Sequence, residues 1–153
     1  MEPRIVNRET ITVLGVQDRL THMEEGVPEM WEVRFMAYHD RIMPLSTDGV
    51  YYGCAFSTDR PEHYDYLAGM AVPPSTAVPE GLTLREVPGG LYVRVDCTIA
   101  TQDNGFDLLE NEWIPASVYE KDESRPTLDC YPPGSVSGDS AMFICIPIIK
   151  EAE

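Results

Sequence analysis

Positive charge is scarce in this chain. Eleven Lys and Arg stand against twenty-six Asp and Glu in 153 residues, a formal net charge of −15, so the surface as a whole repels polyphosphate. That argues against direct nucleic-acid binding. Long apolar runs are missing as well. Nothing approaches the roughly 18 to 20 residues that cross a bilayer, and the N-terminus reads Met1-Glu2-Pro3-Arg4 with no apolar stretch behind it. No membrane segment is expected, and the cytoplasm is the expected address. Cys54, Cys97, Cys130 and Cys145 form no C-x-x-C pair and have no histidine at ligand spacing, which argues against a zinc site and favours reduced thiols, two of them in strand-like apolar runs. Ser46, Ser117 and Ser135 lack the G-x-S-x-G elbow. Gly89-Gly90 reads as a bend rather than a phosphate loop. His22, His39 and His63 have no partner spacing and read as surface or satisfied core residues. Neither a metal nor a tightly held cofactor is expected.

What is present suits a folded domain: 43% hydrophobic and 24% charged residues, despite thirteen prolines. One domain over 1–153 is expected. Residues 4–16 alternate as a strand, interrupted at Asn7-Arg8-Glu9. Residues 27–42 repeat apolar positions every three to four, with Pro28 in the first turn, and predict a helix. Strand-forming runs at 49–56 and 64–72 read as a hairpin, and a Pro-rich connector covers 73–81. The order then repeats. Residues 82–87 and 91–97 answer the first strand, bend included. Asp103 or Asn104 can cap a helix over 106–113 that stops before Pro115, and runs at 127–131 and 142–148 form a second hairpin around a loose loop at 132–139.

The expected fold is therefore α+β: two β-α-β-β repeats, about 1–73 and 81–150, related by a pseudo-twofold axis, with two helices on an antiparallel sheet and a groove between the repeats. Superposing the halves sets Tyr51 on Asp129, Gly53 on Tyr131, and Ala68 and Met70 roughly on Phe143 and Cys145. The strand period of two keeps each set on one face, but parity alone leaves open which sheet face carries the groove.

The order of elements and several local motifs resemble the GyrI-like family, also described as the AraC-type effector-binding domain with a duplicated SHS2 fold. The matching pieces are Pro3-Arg4-Ile5-Val6 with Val13-Leu14-Gly15-Val16, Val27-Pro28-Glu29-Met30-Trp31, Gly49-Val50-Tyr51-Tyr52-Gly53, Tyr66-Leu67-Ala68-Gly69-Met70-Ala71-Val72, Glu112-Trp113-Ile114-Pro115-Ala116-Ser117 and the closing Ile146-Pro147-Ile148. The resemblance implies a groove for bulky aromatic or cationic small molecules. It also implies a free-standing member for multidrug binding, sequestration or sensing, because no helix-turn-helix segment is evident. Two other roles follow from it: hydrolysis of cyclopropane-bearing alkylating natural products, and binding of a protein partner such as gyrase or a regulator. The family's acid lies in a pattern like aromatic-Glu-x-Tyr, and the aligned residues here are Leu128-Asp129-Cys130-Tyr131. The shorter arm draws the charge back by ~1.3 Å, which suits a differently shaped ligand.

The expected binding residues are Trp31, Phe35, Tyr51, Met70, Glu112, Trp113, Asp129, Tyr131, Phe143 and Cys145. Aromatic walls hold a delocalised cation at roughly 0.5 to 2 kcal/mol per ring face, and one carboxylate adds the counter-charge. The net charge draws cations in, screened by salt over about 8 to 10 Å. Micromolar affinity, about −8 kcal/mol, is the expected order. A hydrolase would need an acid and a polar partner within hydrogen-bond reach, for which Asp129, Tyr51 and Glu112 are the candidates. A protein-binding role would need a clustered acidic face. Glu24, Glu25, Glu29, Glu32 and Asp40 around the first helix, and Glu120, Asp122 and Glu123 after the second, read instead as solvated surface.

Overall fold

The structure, a computed structural model, describes residues 1–21, 26–134 and 137–151. His22, Glu24, Glu25 and Ser135 of the sequence reading lie outside the described residues. Among the described residues nine strands form: β1 (Arg4–Arg8), β2 (Ile11–Thr21), β3 (Tyr51–Ser57), β4 (His63–Val72), β5 (Thr83–Val87), β6 (Gly90–Thr98), β7 (Tyr119–Lys121), β8 (Thr127–Tyr131) and β9 (Ala141–Lys150). Their order is β1-β6-β9-β8-β3-β4-β2-β5, antiparallel throughout, with β7 beside the end of β9. The fold is α+β, as the pattern of elements predicts.

That order is a palindrome about the β8–β3 contact: β3, β4, β2 and β5 run outward on one side as β8, β9, β6 and β1 do on the other. Each leading strand has been exchanged. β1 pairs with β6 of the second half, Ile5 opposite Val93, and β5 pairs with β2 of the first, Leu84 opposite Leu14. The short connections at 9–10 and 88–89 carry these exchanges and pack on each other. The Gly89 amide donates to Thr10 Oγ1 at 2.9 Å, and a Cβ on Gly89 would lie 2.7 Å from the Thr10 nitrogen. The single bent strand expected at 4–16 is thus two strands that belong to different parts of the sheet.

Apolar layers cover both faces. Val13, Cys54, Leu67, Leu128 and Cys130 fill one side. On the other, Leu14, Val16, Ala68 and Met70 lie under the first helical run, while Val93, Val95, Ile144 and Ile146 lie under the second. With both faces covered, β4 is buried without interruption from Tyr66 to Val72, and its polar alternation disappears.

The helices are less regular than the sequence period suggests. The first run is α1 (Val27–Glu29), a π-helical stretch Met30–Phe35, then α2 (His39–Ile42) and a 3₁₀ turn Met43–Leu45. The wide π turn brings Met30 and Phe35, five residues apart, into the same core. The second run begins earlier than expected. Thr98 and Thr101 form a reciprocal cap ahead of Ile99–Thr101, so Asp103 and Asn104 lie inside the helical run, which continues through α3 (Gln102–Asp107) and a π-helical stretch Leu108–Trp113. Pro115 does not stop it: the run passes from the π-helical stretch straight into α4 (Ile114–Ala116) and ends one residue after the proline. No helix among the described residues is long and apolar enough to cross a membrane.

Because Gly89 sits against backbone that cannot move without unpairing β1, Gly89→Ala should destabilise the fold by about 1–3 kcal/mol. Urea unfolding midpoints measure this, and an unchanged midpoint would show the crossing to be looser than described.

Candidate functional site

Two helical runs lie side by side on one face of the sheet, and the β3–β8 seam runs beneath the space between them. The result is a cleft of about 1600 Å³, larger than the roughly 300–1000 Å³ of most small-molecule pockets. The first run supplies Trp31 and Phe35 to one wall, and the second supplies Gln102, Phe106 and Glu110, spaced four apart, to the other. Seven carboxylates and two Lys or Arg residues line it, so its field favours cations.

The floor is set by strand register. Tyr51 lies opposite Tyr131, Gly53 opposite Asp129 and Ala55 opposite Thr127. Asp129 is 7% exposed, and its Oδ2 accepts from Tyr131 Oη–H at 2.7 Å and Tyr66 Oη–H at 2.8 Å. Tyr66 Oη in turn accepts from Trp31 Nε1–H at 2.9 Å. A chain of hydrogen bonds therefore ties the first helical run to the carboxylate through β4. Gly53 makes this possible, since a Cβ there would overlap the Tyr66 hydroxyl and the Asp129 carboxylate.

The electrostatics follow. Burial raises the Asp129 carboxyl above the usual carboxylate range, and the Tyr131 and Tyr66 hydrogen bonds pull it partly back. Burial, followed by the neighbouring Asp129 charge, pushes the phenols of Tyr66 and Tyr131 up, so both remain protonated donors.

Above the acid stands an aromatic cluster. Trp31 meets Phe35 edge-on at 5.2 Å between centroids, Tyr131 at 5.8 Å and Tyr51 at 6.3 Å, geometries that add to their area burial. The His39 ring stacks on Tyr51 at 5.8 Å, and its Nε2 lies 2.8 Å from the Tyr51 hydroxyl.

Trp31, Phe35, Tyr51, Asp129 and Tyr131 are thus brought together. The remaining expected residues lie elsewhere. Met70 faces the same side but is fully buried beneath the first helical run. Phe143 and Cys145 are on the opposite face, Phe143 under the Arg94 guanidinium at 3.7 Å and Cys145 beside Arg8. The even-numbered residues of β9, Met142 to Ile148, face the helices, and superposing β4 on β9 by an odd offset reverses the face. Trp113 packs on Tyr119 at 6.1 Å, and Glu112 is exposed. Neither lines the cleft, because the cleft side of the second run is the 102, 106, 110 stripe. Residues missed in the sequence are Tyr66, His39, Gln102, Phe106 and Thr127. Tyr66 was within reach, since it shares the parity of Ala68 and Met70. His39 needed the tertiary contact with Tyr51.

Residues 4–148 match the Cass2 family, described as integron-associated effector binding protein. The chain belongs to the Cass2 family. It is an effector-binding, small-molecule-binding protein, and the GyrI-like resemblance holds. Similar solved structures share the fold at low identity. SAV2435 bound to tetraphenylphosphonium has a TM-score of 0.78 at 12% identity, with 97% of this chain and 94% of that one covered. The EcmrR C-terminal domain has 0.70 at 12%, covering 98% of each. The integron cassette protein VCH_CASS2, from the mobile metagenome of Vibrio cholerae, has 0.63 at 18%, covering 96% and 95%. No curated protein matches the sequence.

Two stability measurements probe the floor. A raised carboxyl pKa costs stability as pH climbs from the unfolded value through the folded one. Asp129→Asn should therefore melt higher than the parent protein at pH 7, with the gap closing in acid where Asp129 is protonated; a gap independent of pH would contradict the assignment. Gly53→Ala should destabilise by about 1–3 kcal/mol and perturb Trp31 fluorescence, since the added methyl displaces the Tyr66 link. Unaltered emission would break that chain of contacts.

Proposed function

We propose that this Cass2-family chain captures lipophilic aromatic cations in the cleft, with the positive charge over Asp129 and the apolar groups against Trp31, Phe35, Tyr51 and Tyr131. The observation that carries the reading is that Asp129, almost fully buried, is held by two phenols and has no guanidinium or ammonium partner among the described residues. Neutral donors satisfy its lone pairs while leaving its charge uncompensated. A delocalised cation supplies that charge at little dehydration cost, and each ring face adds roughly 0.5–2 kcal/mol. The tetraphenylphosphonium bound to the SAV2435 fold relative is a ligand of this chemistry. Aromatic walls select by size and charge more than by directional bonds, which suits a broad-specificity role in sequestration or sensing.

Tetraphenylphosphonium should quench the protein's fluorescence with affinity of micromolar order. The quench should persist in Trp113→Phe and vanish in Trp31→Phe, because Trp31 lines the cleft and Trp113 does not. Asp129→Asn should weaken binding at least about tenfold, as expected for removal of a buried counter-charge. Equal affinity in parent and variant would remove the acid from the account. Since the bound cation favours ionised Asp129, affinity should fall as pH drops through the raised carboxyl pKa, and Asp129→Asn should abolish that dependence.

A further inference from the structure

One end of the cleft is chemically unlike the aromatic cluster. Beyond Asp129 the lining passes to Ser57, Thr58, His63, Lys121, Glu123 and Thr127, where groups that donate and accept hydrogen bonds join the Tyr64 ring. Thr127 occupies the same face of β8 as Asp129, one pleat further along, opposite Ala55. It is 7% exposed, and its Oγ1 is buried without a hydrogen-bond partner among the described residues. The same is true of His63 Nδ1, which also lines this end. A hydroxyl left unsatisfied in such a place costs stability until a partner reaches it, and residues two apart in a strand are separated by about 6.6 Å. The cleft is also larger than a single compact cation requires.

We infer that this end is a second subsite, and that the ligands it selects are lipophilic cations bearing a short hydrogen-bonding arm, hydroxyl or carbonyl, which ends at Thr127. The inference rests on the cation reading above and goes beyond it: Asp129 and the rings set charge and bulk, while Thr127 discriminates among cations by the polar group placed about one strand pleat from the charge. Ala55, opposite, contributes only a methyl to this part of the floor.

A matched pair of probes tests this, butyltriphenylphosphonium and (4-hydroxybutyl)triphenylphosphonium, titrated by calorimetry into the parent protein, Thr127→Val, Thr127→Ser and Asp129→Asn. The parent should prefer the hydroxylated probe by about fivefold, the effect of one net hydrogen bond. Thr127→Val should bring the ratio to one, and an unchanged thermal unfolding midpoint in that variant shows it to be folded. Thr127→Ser should keep the preference. Asp129→Asn should weaken both probes by the same factor. Equal affinities in the parent, or a preference that survives in Thr127→Val, would overturn the subsite and leave the cation reading standing. Insensitivity of both probes to Asp129→Asn would overturn the cation reading and the subsite with it.

Discussion

A carboxylate withdrawn from water, held by two phenols and facing no cationic side chain among the described residues, governs this structure. The other partly buried aspartates follow the usual rule that charge taken into a protein brings a counter-charge with it. Asp122 faces Arg125 and Asp65 faces Arg19, and even the exposed Asp96 lies against Arg94 and Arg4. Asp129 is more deeply buried than any of these and is given Tyr66 and Tyr131 instead. A guanidinium would neutralise the charge permanently, whereas two neutral donors stabilise the carboxylate without compensating its charge.

The duplication sets where such a group can be placed. Because the strand order is palindromic, the β3–β8 pair is the place where the two halves meet on the sheet, and both helical runs flank it. The two strands do not contribute equally at that seam. Gly53 stands directly opposite Asp129, and its missing side chain is the space that the carboxylate and the Tyr66 hydroxyl occupy. Exchange of β1 and β5 between the halves locks the assembly. Neither half has a complete sheet of its own, since each takes an edge strand from the other.

The similar solved structures retain this fold at 9–18% identity, which is what a structure held by alternation and by two covered faces allows. Many apolar side chains serve equally well at positions such as Val13, Leu67 or Ile144, since those positions ask for volume and not for particular chemistry. The cleft asks for more. Its walls come from one stripe on each helical run and its floor from alternate residues of β3 and β8, so its chemistry is set by a handful of positions.

Much of the scaffold was legible in the sequence. The alternating runs gave their strands to within a few residues, and repetition of their order announced the duplication. Tyr51, Asp129 and Tyr131 could be placed on one side of the sheet because strand parity is local. Trp31 could be joined to them through the family motif at the start of the first helix, and Phe35 by its spacing of four from Trp31. The remainder was settled by contacts between distant segments. The exchange of β1 and β5 leaves no local trace, because a bend looks the same whichever strand follows it. Phe143 and Cys145 were misplaced by an offset of one residue, invisible in sequence yet enough to turn a side chain through the sheet. Trp113 and Glu112 depended on the phase of a helix whose π turn departs from the ordinary period. The sequence by itself determined the elements, their repetition and the placing of Asp129 and Tyr131 on one side of their strand, all of which depend on residues close together in the chain. Only the tertiary structure decided which face holds the cleft and that Tyr66 and Gly53 hold the acid, because register and helix phase are chosen by the packing of the whole.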